Sequence, residues 1–407
     1  GGLTAMEHKL STAVDQRTSA SSPDDLATIL YTSGTTGEPR GVMLTQRNLT
    51  HNAVTTTLTV GGDSRDLRLC FLPLSHIYAR TCDLYSWLFL GSRLVLAESR
   101  ETIVRDCQLV QPTALNGVPY FYQKVHDRVR SAGAADEPAA LRQALGGKVD
   151  NLYCGGAALA PEVEEWFERC GLPILPGYGL TETSPVVSVS TRTIRRSGSV
   201  GRAIDDVDVR IADGEVLVRG PNIMQGYWNN PAGTASAVRD GWFHTGDLGH
   251  LDDDGYLFIR GRRKEIIVLS TGKNVSPTRV EGLLAASPLI EQVAVVGDGR
   301  SCLGAIIVPS ADALRAEIRR RRIFVWSRRR ALRHRRVREI YAQEVARRLQ
   351  SGAREEQVHA FTLIDRGFSL ERGEVTPKLS LRRAVVEKNF RAEIEAMYAD
   401  RVTAGPI

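Results

Sequence analysis

No apolar run in this sequence approaches the ~20 residues that a membrane-spanning helix requires, which argues against an integral helical membrane protein. The stretch from Gly1 to Ala20 has no apolar core, so it does not read as a secretory signal. The six cysteines, at 70, 82, 107, 154, 170 and 302, show neither CxxC nor metal-ligand spacing. They read as reduced thiols of a cytoplasmic protein. General basicity is also missing. The net charge is +6, yet residues 315–338 hold twelve Arg and one Glu, a local +11, which leaves −5 for the remainder. One cluster therefore carries the positive charge. No recognised nucleic-acid module accompanies it, and nucleic-acid binding is not expected. With 42% hydrophobic and 25% charged residues, the 407-residue chain has the composition of a globular protein of two or three domains.

The densest chemical signal is Tyr31-Thr32-Ser33-Gly34-Thr35-Thr36-Gly37-Glu38-Pro39-Arg40-Gly41. Apolar strands flank it, Leu26 to Leu30 before and Gly41 to Thr45 after. Glycines and hydroxyls without bulk let backbone N–H groups approach an oxyanion, and Arg40 adds charge. Composition alone leaves two readings open, a phosphate-cradling loop and a flexible Ser/Thr/Gly surface turn. A Walker A loop is excluded, because no GK[ST] follows the glycines at the required spacing.

From Leu26 to about Val189 short apolar strands alternate with helical stretches. Arg68–Leu72, Arg93–Leu96 and Ala114–Gly117 read as strands, and Pro119–Val129 and Pro161–Cys170 as helices opened by proline. That alternation argues for an α/β core with a largely parallel sheet. Residues 207–211 and 215–219 alternate with period two about Asp213-Gly214, a hairpin signal. Val293–Val296 and Ala305–Val308 read as paired strands. Val337, Ile340, Tyr341, Val345 and Leu349 recur at helical spacing. The organisation expected is a polar lead-in at 1–23, an α/β core at 24–190, a β-rich subdomain at 191–263 and a small α+β domain at 264–407.

The loop at 31–41 resembles the signature YTSGTTGxPKG of the AMP-forming acyl-activating (adenylate-forming) superfamily, with Arg40 in place of the usual Lys. Three further stretches resemble the family in its own order: Gly177-Tyr178-Gly179-Leu180-Thr181-Glu182-Thr183-Ser184-Pro185, the run from Asp240 through His244-Thr245-Gly246-Asp247 to Gly261-Arg262-Arg263-Lys264, and Glu374-Val375-Thr376-Pro377-Lys378-Leu379-Ser380-Leu381-Arg382-Arg383. Phe71-Leu72-Pro73-Leu74-Ser75-His76 and the 240–264 run are most like bacterial long-chain fatty acid–CoA ligases. The resemblance implies a layered αβαβα large domain with a β-rich subdomain and a mobile α+β C-terminal domain. Only thirty residues precede Tyr31, so the large domain reads as N-terminally shortened. It also implies the reaction, in which a fatty acid attacks ATP to give acyl-AMP and pyrophosphate, then passes to coenzyme A. ATP, Mg²⁺ and coenzyme A are the implied cofactors.

The residue roles come from the same match. Thr32, Ser33, Gly34, Thr35, Thr36, Gly37 and Arg40 are expected at the phosphates. Thr35 and Glu182 are expected to hold Mg²⁺, which shares its shell with phosphates and water. Tyr178, with Gly179 and Thr181 after it, is placed against adenine, and Gly155, Gly156 and Ala157 near the nucleotide. The glycines beside Tyr178 are expected to let a flat ligand reach its ring. Asp247 is implied to accept from the ribose hydroxyls, and Arg262 to reach ribose or phosphate. His76 is placed at the acyl end, alongside the alternative of a structural histidine. Trp242 reads as core packing. Lys264 matches the interdomain hinge, and Gly272 to Pro277 the loop that faces the site during thiolysis.

The terminal motif departs from the family. The family reads TPTxKxKR or TPSGKxxRR there. With Thr376-Pro377 fixing the register, the lysine position is occupied by Ser380. Lys378 stands two positions earlier; in an extended loop that is about 7 Å away and on the same side, so Lys378 is the expected substitute. The Arg cluster at 319–338 reads first as a solvated helix face, with contact to polyanionic coenzyme A or peripheral membrane contact as the alternatives. Two rival functions also stand: a ligase that loads a carrier protein, and a non-catalytic nucleotide-binding relic.

Overall fold

The structure is a computed structural model. It describes residues 21–32, 39–99, 101–157, 159–350, 352–376 and 381–404. Ser33, Gly34, Thr35, Thr36 and Gly37 of the glycine-rich loop, and Lys378 and Ser380 of the terminal motif, lie outside the described residues.

A seven-stranded sheet forms the centre. Arg93–Leu96, Leu67–Cys70, Ala114–Gly117, Asn151–Cys154 and Ile174–Gly179 lie side by side and parallel, and Val186–Val189 and Arg202–Ala203 continue the sheet antiparallel. Both faces of the sheet are covered. Leu69, Leu115 and Leu152 point into a core with Tyr122, Trp166 and Phe167 from the helices Pro119–Ser131 and Pro161–Arg169. The alternate residues of the same strands, among them Arg68 and Asn116, face the segment Ile77–Leu90. That segment contains a π-helix, Arg80–Tyr85, a distortion that recurs at functional sites.

The flanks of the glycine-rich loop form a hairpin. Leu26–Thr32 pairs antiparallel with Arg40–Thr45, and Gly226–Tyr227 adds to the far edge of the second strand. Thr45 then caps the helix Gln46–Val60, its hydroxyl accepting from Asn48 N. A β-rich unit follows in which Asp208–Ala212 and Glu215–Arg219 pair about Asp213 and Gly214, both at positive φ. That is the turn a two-residue hairpin favours. Trp242–Leu251 joins this sheet and pairs with Leu257–Arg262. Trp242 departs from the expected core position. It is half-buried, its ring within 4.2 Å of the Arg210 guanidinium and 4.7 Å of Arg219. Both arginines project from the neighbouring hairpin, so cation–π stacking takes the place of core packing.

The C-terminal part is built on Ile290–Val296 paired antiparallel with Leu303–Pro309, and Val358–Leu363 parallel to the latter. The helices Pro277–Ala285 and Arg335–Leu349 cover one face and Arg383–Asn389 and Arg391–Ala404 the other. Val337, Ile340, Tyr341, Val345 and Leu349 are the buried residues of their helix. All six cysteines are free and buried. Among the described residues no helix is long and apolar enough to cross a membrane.

Candidate active site

The site gathers at the carboxyl ends of the parallel strands, the usual place for ligands in an open α/β sheet. Asp247 is its best-organised member. It sits mid-strand in Trp242–Leu251 and is 5% exposed. The Tyr178 hydroxyl donates to Asp247 Oδ2 at 2.7 Å, and Arg262 Nε approaches Oδ1 at 3.1 Å. Burial pushes the carboxyl upward, while Arg262 and the Tyr178 hydroxyl pull it back. A carboxylate has about four lone-pair sites, so these two partners leave capacity for hydroxyl donors.

Tyr178 is the neighbour of two glycines, and both are also close to the backbone of the following segment. A Cβ on Gly179 would overlap the Pro185 carbonyl, and one on Gly177 would lie 3.3 Å from Ser188 O. Backbone crowding therefore requires glycine at 179 and favours it at 177. Gly155 has a similar constraint, with the Tyr78 ring 3.1 Å from its missing Cβ. Gly156 takes φ +87°, a conformation that suits glycine. Ala157 follows it, exposed.

Beneath these residues a narrow cleft of about 100 Å³ opens between the sheet, the helix Gln46–Val60 and the segment Ile77–Leu90. Tyr178, Gly179 and Thr181 lie at its mouth with Gly155 and Gly156, and Ile77, Tyr78, Val186 and Val189 supply apolar wall. His76 is not among the lining residues. It stands partly buried at the N-terminus of the helix Ile77–Ala79, beside two residues that do line the cleft.

A second group forms where the glycine-rich loop re-enters its hairpin. The Arg40 guanidinium lies over the Tyr227 ring at 5.2 Å, and the Tyr227 hydroxyl donates to Glu182 Oε1 at 2.9 Å. Thr32 Oγ1 contacts the Arg40 carbonyl at 3.5 Å across the hairpin. Three stretches far apart in sequence thus meet at one point. Tyr227 carries no motif, and the sequence reading missed it. A single carboxylate beside a hydroxyl-rich loop fits Mg²⁺, which takes few protein oxygens when phosphates complete its shell. Lys264 lies exposed in the short turn Arg263–Glu265, between the strand Leu257–Arg262 and the C-terminal part.

Residues 3–228 match the family described as AMP-binding enzyme, and residues 264–402 match the AMP-binding enzyme C-terminal domain. The chain belongs to the AMP-binding enzyme family. The long-chain-fatty-acid–CoA ligase FadD15 of Mycobacterium bovis is 34% identical over 92% of this chain and 69% of its own length. The feruloyl-CoA synthase of an Amycolatopsis species is 35% identical over 72% of this chain and 61% of its own. Among solved structures, ATP-bound MatB of Rhodopseudomonas palustris superposes with a TM-score of 0.69 at 26% identity, covering 91% of this chain and 69% of that one. The adenylation domain of a Mycobacterium chelonae carboxylate reductase shares the fold, at TM-score 0.77 and 23% identity. By this kinship the AMP-binding enzyme described here is an adenylate-forming acyl–CoA ligase, a class that uses ATP, Mg²⁺ and coenzyme A.

Proposed function

We propose that the acid is a medium- to long-chain fatty acid and that the acceptor is coenzyme A itself. A carboxylate oxygen of the acid bonds to the α-phosphorus of ATP and pyrophosphate leaves. The coenzyme A sulfur then bonds to the acyl carbon and AMP leaves. The observation that carries this reading is the continuity between the Tyr178–Asp247–Arg262 group and the apolar-walled cleft. Asp247 takes the ribose hydroxyls, with Tyr178 against adenine and Arg262 toward ribose or phosphate. Thr32, Ser33, Gly34, Thr35, Thr36, Gly37 and Arg40 hold the phosphates. Mg²⁺, when bound by Thr35 and Glu182, neutralises phosphate charge. His76 orients the acyl carboxylate, and Lys264 is the hinge about which the small domain turns.

Arg40 tests the phosphate side. It carries the loop's positive charge, and its planar fork suits phosphate. Arg40→Ala is expected to raise the KM for MgATP about tenfold, whereas Arg40→Lys keeps it within about threefold. Pyrophosphate release with a fatty acid, followed by product analysis with coenzyme A and no carrier protein, checks both the loop and the acceptor. An unchanged KM in Arg40→Ala removes Arg40 from phosphate binding. Acyl-adenylate without acyl–CoA favours the carrier-protein rival.

The Arg cluster supports a second surface role, contact with an anionic membrane. Residues 321–327 join the helices Ala311–Arg320 and Arg328–Arg333. Ile323 and Val325 turn inward, while Phe324 and Trp326 are 91% and 90% exposed. Two bare aromatics between Arg319–Arg322 and Arg328–Arg330 match the pairing of interfacial ring and basic flank that binds acidic lipid. Phe324→Ser with Trp326→Ser is expected to lower co-sedimentation with phosphatidylserine vesicles about tenfold and to leave ligase activity in detergent unchanged. Equal sedimentation of variant and parent retires the surface.

A further inference from the structure

The cleft ends on a polar floor. Arg68, from the strand Leu67–Cys70, lines it and is only 4% exposed. Its Nη1 donates to the Cys82 carbonyl at 2.6 Å, but its Nε–H is buried without a partner. Thr56, from the helix Gln46–Val60 across the cleft, is 5% exposed, and its Oγ1 is likewise buried and unpartnered. Asn116 also lines the cleft, its Nδ2 donating to the Cys82 carbonyl at 3.0 Å and to Asp83 Oδ1 at 2.6 Å. A guanidinium held out of water with an unused N–H is costly. A hydroxyl beside it adds a second unmet group. Both residues line the same cleft.

Register gives the depth of that space. Arg68 pairs with Ala114, and Gly117, the end of that strand, pairs with Cys154 just before Gly155 and Gly156. Three residues of strand separate the floor from the mouth, about 10 Å.

We infer that the floor is a subsite for an oxygen at the far end of the acyl chain, so that the preferred acid is of medium length and carries a terminal hydroxyl or carbonyl oxygen. This rests on the ligase reading, with the reacting carboxylate at the mouth. The oxygen accepts from Arg68 Nε–H and exchanges a hydrogen bond with Thr56. A neutral oxygen suits the floor better than a second carboxylate, because Asp83 already lies within Coulombic reach of Arg68. A bare methyl end leaves both groups unmet, and a site built for hydrogen bonding discriminates strongly against the analogue that lacks it.

The test is pyrophosphate release by the full chain with acids of about six to twelve carbons, each as the alkanoic, ω-hydroxy and α,ω-dicarboxylic form. The parent is expected to favour the best ω-hydroxy acid over its alkanoic counterpart by about 10–100-fold in kcat/KM, the scale of one hydrogen bond from a charged donor. Arg68→Met is expected to erase that ratio by improving the alkanoic acid, and Thr56→Val to reduce it. A parent that uses alkanoic acids as well as hydroxy acids overturns the subsite and leaves the ligase standing. So does a ratio that survives both variants, or a preference for the dicarboxylic series. If Arg68→Met does not fold, the parent's ratio and Thr56→Val decide alone. Activity confined to alkanoic acids of about 14 to 18 carbons also overturns the subsite alone; silence with these as well overturns the fatty-acid ligase reading, and the subsite falls with it.

Discussion

Replacing Lys378 with alanine is expected to cut acid-dependent pyrophosphate release by about 10²–10³-fold, the scale on which a preorganised donor at developing charge contributes. Thiolysis of a supplied acyl-adenylate should stay within about twofold of the parent. The split follows from chemistry. An ammonium beside the α-phosphate and the attacking carboxylate stabilises charge that builds only in the first half-reaction. The family's lysine position is occupied by Ser380, and Lys378 is the one lysine within the motif. The ends of the loop that carries Lys378 are tied together. Val375 and Leu381 form an antiparallel bridge, and Arg382 N donates to the Glu374 carbonyl at 2.8 Å. Equal pyrophosphate release by parent and Lys378→Ala would rule the lysine out. If Ser380→Lys then raised a weak activity severalfold, the chain would be a decayed ligase.

Local pattern made much of the fold legible. Five apolar residues at helical spacing defined the buried face of Arg335–Leu349, because that face meets one continuous core. The Asp213-Gly214 turn marked its hairpin through a backbone conformation few other pairs adopt. The strands Arg93–Leu96 and Ala114–Gly117 were readable from short apolar runs between turns. Pairings across long stretches of sequence were not readable. Nothing local says that Tyr227 will stand between Arg40 and Glu182, since the contact exists only once the hairpin at 26–45 recruits Gly226–Tyr227. Arg68 was hidden for a related reason. A charged residue near the start of a strand reads as exposed, yet a parallel sheet is covered on both faces. Gly179 was legible as a motif residue, but its crowding by the Pro185 carbonyl, just ahead of the neighbouring strand, was not.

The terminal motif also contains a residue whose role is structural. Glu374 was quoted only as the first letter of a family match, yet it is completely buried. Arg366 donates to both of its oxygens at 2.8 and 2.9 Å, Asn389 Nδ2 to Oε1 at 2.9 Å, and Ser369 N and Arg372 Nε to Oε2 at 3.2 Å. Burial alone would raise the carboxyl, but hydrogen bonds from Arg366, Asn389, Ser369 and Arg372 outweigh it and hold the group down at about 2, against an ordinary 4.5. A depressed folded value means stability that is present above pH 4.5 and is lost as the pH falls toward 2. The full contribution is about 3 kcal/mol. Glu374→Gln keeps the shape and removes the charge. Breaking a buried pair costs about 3–5 kcal/mol. The lower end applies here, because Arg366 and Arg372 are 36% and 43% exposed and can turn to water. Denaturant melts at pH 7 should therefore place Glu374→Gln about 3 kcal/mol below the parent. The gap should narrow between pH 4.5 and the lowest pH at which the parent stays folded. A gap below about 1 kcal/mol at pH 7, or one that does not change with acid, would show that the five donors add little. Because Glu374 also anchors the loop that carries Lys378, the same variant should lose adenylate formation before it loses thiolysis.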